Sequence, residues 1–112
     1  MGTLPNQYVR TKKRYPQYLA AVEALGEAIH KAGPLDGKTL QLVQLAAAAA
    51  VRSEGSVHSH TRRALRAGAT PEEVRHALIA ATSTIGFPSV TAALSWAEDV
   101  MGKRKQARRP AR

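Results

Sequence analysis

The chain contains no cysteine. That absence removes disulfide staples, thiol redox chemistry and thiolate metal ligation at once. Aromatic residues are scarce, with three tyrosines, one phenylalanine and one tryptophan among 112 residues. A core must therefore be assembled from Ala, Leu, Val and Ile, whose modest volumes suit closely approaching helices. Long apolar runs are missing as well. The longest, Leu45–Val51, is too short to span a bilayer, and the N-terminus shows no apolar stretch of the signal-peptide kind. These absences lead us to expect one soluble, cytoplasmic domain with a single core.

Acidic residues are few, eight against seventeen Lys and Arg, for a formal charge of +9. The excess lies at the ends. Arg10–Arg14 carries four positive charges and Lys103–Arg112 carries six with no acid, whereas seven Lys/Arg face eight Asp/Glu between Tyr15 and Gly102. A basic tail attracts phosphate through salt-sensitive, non-specific contacts. No recognition module or aromatic stacking platform accompanies it, so a solvated terminus is expected in preference to a nucleic-acid site. The expected division is a basic arm over residues 1–14, a folded domain over 15–102 and a disordered basic tail over 103–112.

The periodicity that is present is helical throughout, and the expected class is all-α with about five helices. Tyr15, Tyr18, Val22, Leu25 and Ile29 recur at three- and four-residue intervals, and Gly33-Pro34 stops that helix. A second helix, about Lys38 to Arg52, is apolar on nearly every side, which predicts a central helix surrounded by neighbours. Ser53-Glu54-Gly55-Ser56 interrupts it and offers two N-caps, Ser53 and Ser56, for a third helix ending near Gly68. Thr70-Pro71-Glu72-Glu73 reads as a capping box with proline at the first helical position. The fourth helix is expected to carry Val74, Ala77, Leu78, Ala81 and Ile85 on one face. The fifth, about Pro88 to Met101, has a stripe at Val90, Ala93, Leu94, Ala97 and Met101. Ala92, Trp96 and Val100 widen that stripe, which points to contact with another subunit.

Residues able to do chemistry concentrate between Arg52 and Arg66. His58 and His60 are two apart on one helix and so lie on opposite flanks, a poor chelate. No neighbouring Asp, Glu or Cys completes a ligand set in the local sequence, and no metal site is expected. Ser56 precedes His60 by one turn, an arrangement open to two readings. One is a nucleophile and its base, which would need an orienting carboxylate and an oxyanion hole. The other is an N-cap beside a partly buried histidine. Glu54 stands in the same relation to His58 and reads as a surface pair.

The stretch His60-Thr61-Arg62-Arg63-Ala64-Leu65-Arg66-Ala67-Gly68-Ala69-Thr70-Pro71-Glu72-Glu73-Val74 resembles the signature of the carboxymuconolactone decarboxylase / alkylhydroperoxidase D-like family. Ile85-Gly86-Phe87-Pro88 is similar to the Gly-x-Pro stretch of its decarboxylase branch. The resemblance implies a helical fold assembled into homo-oligomers, trimers or hexamers, with a pocket near the motif helix. It implies thiol peroxidase chemistry for one branch, built on a Cys-x-x-Cys, a histidine and a glutamate. Here the cysteine positions fall on Ser53 and Ser56, the glutamate position falls on Gln41, and His60 alone is kept. A hydroxyl cannot supply the sulfenic acid or disulfide which that reaction requires. The other branch is a cofactor-free decarboxylase of small lactone acids. Carried onto this chain, it implies His60 as acid/base, with Ser53, Ser56 and Gln41 around it. Arg52, Arg62 or Arg63 would then hold a substrate carboxylate. A catalytically silent oligomer of the same fold is the competing expectation.

Overall fold

A computed structural model describes residues 6–108, with side chains described as far as Gly102. All the elements among the described residues are helical, and the chain divides into two compact units, residues 1–36 and 37–112.

The first unit contains α1 (Asn6–Arg14) and α2 (Pro16–Lys31). The expected arm is therefore helical from Asn6 onward. Its composition conceals this, because α1 buries no residue and is held by polar contacts. The Thr11 hydroxyl donates to the Gln7 carbonyl at 2.8 Å, the Tyr8 hydroxyl donates to the Glu23 carboxylate, and Lys12 pairs with Glu23 at 3.4 Å. Tyr15 separates the two helices with φ −133° and ψ 67°, since a residue before proline is driven out of the helical region. The expected stripe forms on α2 at Tyr18, Val22, Leu25 and Ile29 with Tyr15 just before it, and all five are 42–62% exposed. Only Leu19 on this helix is buried.

The second unit holds α3 (Gly37–Ala50), α4 (Glu54–Arg66), α5 (Pro71–Ala80), α6 (Thr82–Ile85) and α7 (Phe87–Arg108). Its core joins Leu45, Ala48 and Ala49 of α3, Val57 and Ala64 of α4, Val74 and Leu78 of α5, and Ala93, Ala97 and Met101 of α7. Alanine at so many of these positions permits the close approach that the shortage of aromatics anticipates. Trp96 is half-buried and packs one side against this core. Helix α3 is not enclosed on every side as expected. Val43 is 53% exposed, and Val51 just beyond the helix is 75% exposed.

The expected fourth helix is divided. Ala81 donates its N–H back to Leu78 over a tightened turn, and the Thr82 hydroxyl donates to the Ile79 carbonyl at 2.7 Å. Local hydroxyl bonding of this kind competes with the helical ladder. Ile85 thus reaches the core from α6, and Gly86 follows at φ 91°. At the far end α7 continues through Arg108, so the backbone of the expected disordered tail is helical over residues 103–108. Residues 109–112 of that tail lie outside the described residues.

Candidate functional site

Two consecutive turns place the functional residues. Helix α3 ends with Arg52 in the left-handed region at φ 55°. Ser53 N–H donates to Ala48 O at 3.1 Å and Arg52 N–H to Ala49 O at 3.1 Å. These two bonds define a Schellman motif, with arginine where glycine is the usual choice. The same motif recurs after α4 with Gly68 at φ 104° and bonds from Ala69 to Ala64 and from Gly68 to Leu65. An arginine in that conformation carries ~1 kcal/mol of strain that glycine avoids. Its guanidinium Nη1 donates to Ser89 Oγ at 2.8 Å, which ties the α3–α4 junction to the start of α7. Arg52, a candidate for substrate binding, is thus engaged with a neighbouring helix.

Ser53 is the N-cap of α4. It has extended geometry, and its Oγ accepts the Ser56 N–H at 3.3 Å. The choice between the two capping serines falls to Ser53, leaving Ser56 half-buried in the first turn, one turn before His60. Downstream, the capping box of α5 forms as expected. Thr70 Oγ1 accepts from Glu73 N–H at 3.1 Å, and Glu73 Oε1 accepts from Thr70 N–H at 2.9 Å. Glu73 also pairs with Lys38 of α3 at 3.0 Å. The Thr70 backbone bond, and then Lys38, hold its carboxyl below the usual range.

The centre of the site is His60. Its Nδ1 lies 2.8 Å from Oε1 of Gln41, a buried residue on α3. With the amide oxygen towards the ring, Nδ1–H donates to it and Nε2 keeps the lone pair. His60 is half-buried. Burial lowers its pKa, and the nearby positive charge of Arg63 lowers it further. A glutamate at position 41 would oppose that effect by stabilising the imidazolium. Glutamine orients the ring without charging it, so the neutral imidazole is favoured. Arg63 is exposed and Arg62 half-buried. Burial, followed by Arg66 and Arg63, lowers the pKa of the Arg62 guanidinium. Thr61, next to His60, is fully buried and its Oγ1 has no hydrogen-bond partner among the described residues.

Gln41, His60 and the positive charge of Arg63 are therefore brought together, with Ser53 and Ser56 at the start of the same helix. One neighbour escaped the sequence reading. Asp99 of α7 approaches His58 Nε2 to 3.2 Å and supplies the acid that the local sequence did not. A separation of 41 residues between helices leaves no periodic signal of such a pair.

A crystal structure of a carboxymuconolactone decarboxylase family protein from Legionella pneumophila, determined in the apo form, superposes with a TM-score of 0.73. It is 30% identical, over 84% of this chain and 87% of that one. A Haemophilus influenzae protein described as uncharacterized is 42% identical over 52 residues, 46% of each chain. The match to that curated relative thus spans under half of its length. The family profile described as "Carboxymuconolactone decarboxylase family" matches residues 16–99, the greater part of the chain. The chain belongs to the carboxymuconolactone decarboxylase family.

Proposed function

We propose that this chain is a cofactor-free, decarboxylase-like enzyme acting on a small anionic organic acid or lactone, with His60 moving the proton. The observation that carries this reading is the 2.8 Å bond from half-buried His60 to buried Gln41. It fixes the ring and turns the proton-accepting nitrogen, Nε2, away from the support. In such a reaction the bond from carbon to carboxylate breaks and CO2 departs. The electron pair stays on the substrate as an enolate; Nε2 of His60 takes a proton from solvent, passes it to that carbon and returns to the neutral form. Arg63 is the candidate anchor for the anion, because its charge already acts on His60. Ser53 serves the helix start as a cap, which favours a supporting role over a nucleophilic one. With no thiol in the sequence, thiol-dependent peroxide reduction is not part of this reading.

A second reading keeps the fold without the catalysis, as an oligomeric binding or assembly protein. The exposed stripe of α2 favours it, since Tyr18, Val22, Leu25 and Ile29 in one row are better covered than wetted. Self-association as a trimer or hexamer belongs to both readings. Light scattering on wild type and on a Tyr18→Glu/Leu25→Glu double variant tests it, with a smaller assembly expected for the variant. The two readings separate in a panel of small carboxylic and lactone acids assayed for CO2 release. Turnover of any panel acid that falls about a hundredfold or more in His60→Ala supports the enzyme. Turnover untouched by His60→Ala removes His60 from the reaction, and none across the panel leaves the assembly protein.

A further inference from the structure

We propose that Glu54, His58 and Asp99 form a binding site for a single divalent transition-metal ion of the zinc class, where the first turns of α4 meet α7. Glu54 and His58 are one turn apart on α4, and Asp99 comes from α7. The site shares no donor with the Gln41–His60 pair, because His58 and His60 occupy opposite flanks of their helix.

Three features of the arrangement point to an ion. The first is convergence on one atom. Asp99 Oδ2 lies 3.2 Å and Glu54 Oε2 3.9 Å from the same ring nitrogen, His58 Nε2. That nitrogen bears at most one hydrogen, so it can bond to one acid only. The second carboxylate gains no hydrogen bond from it. A metal ion taking the Nε2 lone pair would satisfy both acids together.

The second feature is spacing. One donor atom from each residue lies within 4.8 Å of the other two. Tetrahedral zinc with bonds of about 2.0–2.2 Å separates its donors by about 3.3–3.6 Å. The Asp99–His58 distance is already near that value, and a rotation of the long Glu54 side chain closes the remainder.

The third feature is charge and chemistry. Two carboxylates and a neutral imidazole carry a charge that a divalent cation neutralises, and without it the acids repel one another. An imidazole nitrogen with two carboxylate oxygens suits zinc or a neighbouring transition metal better than magnesium or calcium. The side chains of Glu54 and Asp99 are 58% and 51% exposed, and His58 is 26% exposed. The face is therefore open to an arriving ion and leaves a further position for water.

The test is titration of the full, untagged chain with zinc chloride by calorimetry, and with cobalt(II) followed by its visible absorption. One ion per chain is expected. His58→Ala, Asp99→Asn and Glu54→Gln should each weaken binding by roughly tenfold or more. His76→Ala, which alters an exposed histidine outside the cluster, should bind as wild type does. Zinc should also raise the melting temperature of wild type and not that of Asp99→Asn, a near-isosteric change that preserves packing. Absence of stoichiometric binding by wild type overturns the proposal, as does binding that all three ligand variants retain at full strength.

Discussion

Replacing Gln41 by leucine separates the hydrogen bond to His60 from the packing of the side chain that accepts it. Gln41 is 6% exposed, and its Oε1 lies 2.8 Å from His60 Nδ1. Leucine fills most of the same volume but leaves Nδ1–H without its acceptor. An orphaned buried donor costs about 1–3 kcal/mol. His60 is only half-buried, so water recovers part of this, and a coupling of about 1–2 kcal/mol should remain. The leucine side chain offsets some of the loss through added apolar burial, about 0.8 kcal/mol per methylene. A cycle with Gln41→Leu, His60→Ala and the double variant removes that offset and isolates the coupling. Urea unfolding followed by far-UV circular dichroism measures it, at one fixed protomer concentration because self-association would shift the midpoints. Additivity to within about 0.3 kcal/mol would refute the bond as a structural element.

The same pair makes a prediction about pH. Because burial lowers the His60 pKa in the folded state, the unfolded chain takes up a proton first as pH falls. Stability should therefore decline as pH drops below the ordinary imidazole range. Gln41→Glu should reverse that sign. A carboxylate beside the ring raises the His60 pKa, and the added stability is present while both groups are charged and lost as pH rises through the raised value. Histidine NMR titrations of the two proteins read the opposed directions directly. Equal His60 titration curves would show that residue 41 does not control the ring.

Thr61→Val should raise stability by ~1 kcal/mol, since it exchanges an unpartnered hydroxyl in a fully buried position for a methyl group; a less stable variant in thermal melts would reveal a partner for Oγ1. At position 52, glycine should be more stable than alanine by about 1 kcal/mol, because only glycine relieves the left-handed backbone while both remove the Ser89 bond. Equal urea midpoints for the two variants would remove the strain argument. Thr70→Ala should cost ~1 kcal/mol through loss of the α5 cap. The Glu73 pKa is lowered in the folded state, so its contribution is present at neutral pH and lost as pH falls through that depressed value. Glu73→Gln should flatten this acid-side decline, and an unchanged slope in acid titration would count against the Glu73 carboxylate as its source.

Local spacing determined a large part of this molecule. The Thr70–Glu73 box closes within four residues, so its bonds form wherever the rest of the chain lies. The stop at Gly68 is likewise legible, because it requires one backbone conformation, whereas the helix start was narrowed only to Ser53 or Ser56. The alanine-rich, cysteine-free composition already specified helices packed closely and a site without thiol chemistry. Resemblance to the family signature marked His60, Gln41, Ser53 and Ser56 as corresponding positions.

Tertiary structure decided what those positions touch. Periodicity correctly indicated a stripe on α2, yet it could not say that the stripe stays exposed, because period reports which residues share a face and not what covers it. Helix α1 was hidden, since its support is a tyrosine hydroxyl and a lysine reaching Glu23 on the next helix. The 2.8 Å bond from Gln41 to His60 and the approach of Asp99 to His58 span 19 and 41 residues. Such pairs depend on how α3, α4 and α7 cross, and crossing is set by the packing of Leu45, Val57, Ala64 and Ala97 around the core. The sequence by itself determined the helices and the residue types available for chemistry. Which of them meet was decided by side-chain packing between helices, a sum of many small contacts that no local pattern encodes.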